Sequence, residues 1–471
     1  MPTECIQEAF RFHSQSGREL VARFDGGTIT SDGGGVLLGA VERRTGIVRQ
    51  FAGCFVDHRD PEAIEHTVYD LVAQRVYGLA LGYEDLNDHD ELRSDPLFAA
   101  VVGKTDPTGS QRLRARDVGK ALAGKSTLNR LELTTAEAGP SSRYKKIVLN
   151  EAAVDRVLVE VFLQAHPQAP PQVILDLDAT DDPLHGKQEG RFFHGHYGCY
   201  CYLPLYIFCG EHLLCARLRP SDIDGSAGAL EELQRIVGQV REHWPTVRII
   251  LRADSGFARE VIMAWCEEHA VDYVFGLAKN ARLIRALGKE LQQARQECEQ
   301  TGKPARVFRD FAYKTRKSWS RTRRVVGKAE HLPDKANPRF VVTSLAPESW
   351  DPRALYEDLY CARGDMENRI KEQQLHLFAD RTSAATMRAN QIRLYFSSVA
   401  YLLLQALRRL GLAGTALARA QCNTIRLKLL KIGAQVRVTV RKVWVSLASG
   451  SPYASLFARV YANLHAAPLR C

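Results

Sequence analysis

Between Pro171 and Ala278 the chain reads as hydrophobic strand signals spaced by amphipathic stretches of helical length, and nothing else in the sequence constrains the fold as strongly. The order is a strand in VILDLD, a strand through YGCYCYLPLYIF, a strand in HLLCARL, a helix from Ser226 to Glu242, a strand in VRIILRAD, a helix from Ala258 to His269 and a strand in DYVFGLA. Hairpin-like neighbours followed by alternating helix and strand predict an α/β fold, a mixed sheet flanked by helices. Ligands in such sheets gather beyond the carboxyl ends of the strands.

Those ends are acidic. In VILDLDATDD, Asp176 and Asp178 share one strand face because side chains repeat every second residue, and Asp254 closes VRIILRAD just before a Ser-Gly turn. A carboxylate buried beside apolar strands costs several kcal/mol unless a partner neutralises it, and a divalent cation is one such partner. The alternative is that each Asp caps the turn that follows it. A third acid lies in DLYCARGDMENRIKEQQ, where Tyr360, Arg363, Glu367, Lys371 and Gln374 fall along one helical stripe. That stripe reads either as a solvated ion-pair ladder or as a metal-binding carboxylate with cations placed for phosphate. Asp365 and Glu372 point elsewhere on the helix, which leaves Glu367 as the inward candidate.

The flanking regions carry weaker signals. The first 150 residues look largely helical after the Gly-rich opening FDGGTITSDGGG, with helical spacing from Glu62 to Leu86. Gly119 to Ser126, GKALAGKS, satisfies the P-loop pattern, yet QRLRARDV precedes it where a P-loop needs a buried hydrophobic strand. Ser126, Thr127, Asn129 and Arg130 in KSTLNRLE open either a DNA recognition helix or an ordinary capped surface helix. His194, His196, Cys199 and Cys201 cluster, but HxH and CxC lack the spacings that wrap tetrahedral zinc, which favours packed strand residues. The eleven cysteines, and an opening MPTECIQEAFRFHS without an export signal, predict free thiols in a reducing cytosol. The longest apolar run, Leu394 to Leu407, is interrupted by Ser397, Ser398 and Gln405 and falls short of the ~20 residues of a membrane span.

Charge adds a partner class. Lys and Arg number 64 against 54 Asp and Glu, a net +10, and the last acid is Asp380, so the final 91 residues hold 14 Lys and Arg and no acid. A second concentration lies at 303 to 328, with ten Lys and Arg against Asp310 alone, interleaved with Phe308, Phe311, Tyr313 and Trp319. Two longer helices, from about Arg353 to Leu377 and from Ser383 to Leu412, follow it, and the tail contains an alternating strand-like run VRVTVRKVWVSL. Such asymmetry predicts a polyanionic partner, with nucleic acid first. Trp319 would either stack an unpaired base or pack on the sheet.

In this order, a strand Asp in a DxDAT context, a strand-end Asp before Ser-Gly-Phe, a basic strand-rich stretch and Tyr-x2-Arg-x3-Glu on a helix, the chain resembles the DDE transposases of bacterial insertion sequences. The likeness is to the branch with an RNase H-like core and a Tyr-Arg-Glu-Lys signature, DDE domain group 1 in particular, and FDGGTITSDGGG, LAGKSTLNRLE and HGHYG look like segments of one subgroup. One departure is Gln374, which stands where the signature's Lys would fall, while Lys371 lies one turn closer to Glu367. The resemblance implies Asp178, Asp254 and Glu367 as catalytic acids and metal ligands for two Mg2+ ions, with Mn2+ able to substitute; Asp176 remains the alternative to Asp178. It implies cut-and-paste transposition on double-stranded DNA, both terminal inverted repeats and target. A homodimer on the DNA ends and a cytoplasmic, nucleoid-associated bacterial location, with no membrane, are expected as well. DNA contacts are expected from Tyr360, Arg363, Lys371, Trp319, Arg321, Arg323, Arg324, Asn129 and Arg130. The expected organisation is a helical DNA-binding region at 1–150, catalytic core at 151–302, basic strand-rich insertion at 303–346, core helices at 347–412 and basic tail at 413–471. The competing readings are a DNA-binding protein that keeps the fold without the chemistry, and a P-loop NTPase.

Overall fold

The structure is a computed structural model that describes residues 9–12 and 18–466. Met1–Glu8, on which most of the reading of the N-terminus rests, and Cys471 lie outside the described residues. The chain divides into two units, one of residues 1–131, 137–148 and 399–471, the other of residues 132–136 and 149–398.

The second unit is built on a nine-stranded sheet. Its main strands are β1 (Gln172–Ala179), β2 (Leu205–Cys209), β3 (His212–Arg217), β4 (Arg248–Ala253), β5 (Asp272–Leu277), β6 (Ala305–Tyr313), β7 (Arg323–Leu332) and β8 (Arg339–Thr343). They lie in the order β3-β2-β1-β4-β5-β8-β7-β6, with the short strand Lys335–Ala336 on β7. β1, β4 and β5 run parallel, β2 runs antiparallel to both its neighbours, and β8, β7 and β6 add on antiparallel. The first five strands, in the order 3-2-1-4-5, form the RNase H-like mixed sheet, so the fold is of the predicted class.

Period-two alternation explains what each face carries. Val173, Leu175 and Leu177 of β1, Ile249, Leu251 and Ala253 of β4, and Tyr273 and Phe275 of β5 enter one core, packed with helices α1 (Ala229–His243) and α2 (Glu260–Glu268). Full burial of each such aliphatic side chain contributes about 1.5–3 kcal/mol, which fixes the register because a one-residue slip would turn the whole set outward. The opposite face receives the alternate residues: Asp176 and Asp178, Arg252, and Gly276.

Three elements differ from their sequence reading. YGCYCYLPLYIF is two strands: Cys199–Tyr202 pairs with Phe192–His194 and Asp182–Pro183 in a small separate sheet, and β2 starts after Pro204. Proline lacks the N–H a central strand needs, so the break falls there. The helical stretch near 280–300 is Ala281–Ala286 followed by Gly288–Thr301. The helix expected from Arg353 to Leu377 is composite: a short turn Pro352–Ala354, a π-helical segment Leu355–Tyr360, a 3-10 turn Cys361–Arg363 and then α3 (Gly364–Leu377).

The other unit is mainly helical. Val68–Leu81 starts at a Thr67–Asp70 capping box and stops at Gly82, whose φ of 96° suits glycine. Its Gly-rich opening has a steric cause: a Cβ on Gly34 would stand 1.9 Å from the carbonyl oxygen of Leu429. The tail run VRVTVRKVWVSL forms the hairpin of Ala434–Val438 and Val443–Leu447, which pairs with Ile29–Thr30. Among the described residues no helix is long and apolar enough to cross a membrane.

Candidate active site

β1 and β4 lie side by side with Leu177 opposite Ala253, so the acids at their carboxyl ends fall next to each other. Their surroundings differ. Arg252, two residues before Asp254 and therefore on the same face, grips Asp176 with both prongs at 2.5 and 2.8 Å and donates its remaining Nη1 to the carbonyl of Leu359 at 2.6 Å. Asp176 is thus buried and neutralised. Asp178 has a weaker partner, Arg363, whose Nη1 is 3.7 Å from Oδ1 while its Nη2 donates to Glu367 Oε1 at 2.8 Å. Burial pushes the Asp178 carboxyl up to about 7 against the pull of Arg363, and the negative charges of Asp254 and Glu367 add to the rise. The three acids named from sequence therefore face one another across one guanidinium. Asp254 is fixed by its own turn, with Oδ1 accepting from the Gly256 N–H at 2.8 Å.

Tyr360 closes one side. A Cβ on Gly276 would lie 2.6 Å from the Tyr360 hydroxyl and 2.9 Å from the Ser255 nitrogen, so only glycine on β5 lets this ring approach the Asp254 turn. Burial raises the Tyr360 hydroxyl's pKa, with Asp254 adding to it and Arg363 opposing. The π and 3-10 turns deliver Tyr360 and Arg363 to this face, and π segments often occur at functional sites. Lys371 is exposed on α3, and Gln374, in place of the signature's Lys, donates to the Asp181 carbonyl at 3.1 Å.

Sequence reasoning gave no role to Tyr197 or Arg252. Tyr197, in the HGHYG turn, donates to the carbonyl of Ala179 at 3.2 Å; burial, then Asp181, Asp178 and Asp254, push its hydroxyl up to about 12. The signal for Arg252 was present, an arginine at period-two spacing from Asp254 directly after the apolar run at 249–251.

Three carboxylates supply hard oxygen donors suited to Mg2+ or Mn2+, and the under-compensated burial of Asp178 is relieved by added positive charge, so this donor set fits a divalent cation. As arranged, with Arg363 between Asp178 and Glu367, no three His, Cys, Asp or Glu side chains among the described residues are gathered about one ion position.

The expected nucleic-acid contacts are placed unevenly. Trp319 is 5% exposed, edge-on to Tyr313 with Arg323 above its ring, so it is a packed residue and not a stacking platform. Arg323 is buried in ion pairs with Glu260 and Glu267, both at 2.6 Å, and Arg324 binds Asp310 at 3.0 Å and the carbonyls of Leu345 and Trp350. These two cations neutralise nearby acids, Arg323 buried and Arg324 half-buried; Arg321 is exposed, 3.2 Å from Glu267. On the helix Lys125–Glu132, Asn129 is exposed and Arg130 lies over the Tyr144 ring at 5.7 Å. The P-loop-like segment follows a 3-10 turn, Ala115–Asp117, and its Lys125 donates to Asn87 at 2.9 Å. His194 and Cys199 are cross-strand neighbours beside buried Cys201, and no disulfide joins the nine described cysteines.

No curated protein sequence matches this chain. Among solved structures, a piggyBac transposase in a synaptic complex with hairpin DNA is similar, with a TM-score of 0.39 and 10% identity over 92% of this chain and 82% of that one. The family described as Transposase DDE domain group 1 matches residues 12–469, nearly the whole length, and the chain belongs to that family.

Proposed function

We propose that this protein is a cut-and-paste transposase that binds the terminal inverted repeats of its insertion sequence, cleaves their strands and joins the freed ends to target DNA. The observation that carries this reading is the approach of Asp178, Asp254 and Glu367 around Arg363 at the carboxyl ends of β1 and β4, in a chain of a transposase family. Two Mg2+ ions, or Mn2+ in their place, would when bound by these carboxylates activate a water or 3′-hydroxyl and stabilise the leaving oxygen of a phosphodiester. The chain's own residues position the reactants. Arg363 offers its planar fork to a phosphate oxygen, a bidentate geometry guanidinium favours. Tyr360, seated on Gly276, holds the Asp254 turn, and the Arg252–Asp176 pair keeps β1, β4 and the Leu359 segment in register. Lys371 and Arg321 are exposed cations for the DNA backbone. Joining two ends calls for a homodimer on DNA, at work in the bacterial cytoplasm among nucleoid DNA.

Purified protein with Mg2+ and DNA bearing the repeats should release cut strands, and Asp178→Asn, Asp254→Asn and Glu367→Gln should each abolish cutting while leaving DNA binding intact. A variant that cuts as the parent does removes its residue from the assignment.

A further inference from the structure

In the unit that contains residues 1–131 and 137–148, a cleft of about 810 Å3 is lined by nine Arg and Lys side chains and four Asp and Glu. Three of the four acids already meet a cation, and the fourth accepts from a backbone N–H. Glu65 binds Arg112 at 3.0 Å, Asp117 lies 3.8 Å from Arg116 and 4.0 Å from Arg93, Asp90 lies 3.4 Å from Lys125, and Asp60 accepts from the Glu62 N–H at 3.1 Å. Arg114, Arg143 and Lys146 make no ion pair among the described residues, which leaves the cleft with positive charge to satisfy.

Two further features point to an anionic guest that also accepts or donates hydrogen bonds. Gly124, Ser126 and Thr127, at the start of the helix Lys125–Glu132, line the cleft, so the positive end of a helix dipole faces it. His66, 6% exposed, also lines it, and neither ring nitrogen has a partner. Burial, with Lys104 and Arg112 nearby, pushes the His66 pKa down to about 4, so the ring stays neutral, with one donor and one acceptor.

A nucleotide and a nucleic-acid backbone share phosphate chemistry, and the lining separates them. Nucleotide pockets are mostly apolar, with a wall for the base. Here charged residues dominate, Lys125 of the P-loop-like GKALAGKS is held by Asn87 and Asp90, and the one large aromatic, Tyr144, is 58% exposed beneath Arg130 and Arg143. We infer that this cleft grips the sugar-phosphate backbone of duplex DNA, with Arg114, Arg143 and Lys146 as its phosphate contacts and the start of the Lys125–Glu132 helix and His66 at its floor. The inference rests on the transposase reading for the identity of the polyanion, and it adds a holding site separate in sequence from the three acids.

The test measures anisotropy of a fluorescein-labelled mixed-sequence duplex on the full-length protein in EDTA, between 50 and 200 mM salt. The triple variant Arg114→Gln/Arg143→Gln/Lys146→Gln should bind more than tenfold more weakly at the lower salt and should flatten the log-affinity against log-salt slope by about 2–3. The charge-retaining Arg114→Lys/Arg143→Lys variant should keep most of the slope, which separates lost charge from lost fold. An unchanged slope in the triple variant overturns the inference, as does ATP that competes off the duplex in the parent. Since EDTA removes the chemistry, a parent that binds with the expected slope yet cuts no duplex bearing the terminal repeats when Mg2+ is restored sinks the transposase reading and leaves the cleft standing.

Discussion

Asp176 gives both carboxylate oxygens to Arg252 deep in the sheet, whereas Asp178, two residues on, has the Ala179 N–H at 3.1 Å, Arg363 no nearer than 3.7 Å and two further acids for company. Alternation alone puts them on one face and cannot rank them, because period two says where a side chain points and not what meets it. The difference predicts opposite outcomes for one chemical change. Asp176→Asn leaves the Arg252 charge buried without its counterion, which costs about 3–5 kcal/mol. Asp178→Asn removes a poorly compensated charge and should leave stability unchanged or slightly raised, as often happens where a site is built for function. Urea midpoints of the two variants in metal-free buffer check this; equal losses would mean that both carboxylates hold the fold alike.

At the scale of elements, β5 meets the π segment Leu355–Tyr360 so closely that Gly276 has no room for a methyl group. Gly276→Ala should therefore push the Tyr360 ring and the Ser255 backbone apart, displace Asp254 and lower strand cleavage by at least tenfold. Most of the cost falls on geometry, since overpacking by one methyl destabilises by only about 1–3 kcal/mol. Cutting assays beside a thermal melt decide it: parent-level cutting by a folded Gly276→Ala would show that Tyr360 does not position the turn. The strands and acids of this sheet were legible because alternation and acid-ended runs are local patterns. The π segment was not, since it follows from packing Leu355, Tyr356 and Leu359 against Val274, Val326 and Val341, residues distant in sequence. The basic stretch misled for a related reason. A count of cations near 303–328 does not reveal that Arg323 meets Glu260 and Glu267 of α2, some sixty residues earlier.

For the whole molecule, the same caution applies to the acid-free tail that first suggested a polyanion. Part of its charge is structural. Lys431 lies 2.7 Å from Asp32 and 4.0 Å over the Tyr83 ring, whose hydroxyl donates to Asp32 at 2.6 Å, and Arg426 donates to the carbonyls of Leu79 and Ala80. These contacts join the start and end of one unit, so the tail completes the N-terminal helical layer and does not trail from it. Others, such as Arg441 on the turn of the Ala434–Leu447 hairpin, are exposed. Lys431→Ala strips the counterion from an Asp32 that is 4% exposed and should cost about 3–5 kcal/mol, whereas Arg441→Ala should stay within about 0.5 kcal/mol. Limited proteolysis and denaturant melts read both. In the duplex-binding titration, Lys431→Ala molecules that remain folded should keep the parent's salt slope, because a lysine bound to Asp32 releases no counterion from DNA. A variant with parent stability and a flattened slope would return Lys431 to the DNA-binding surface.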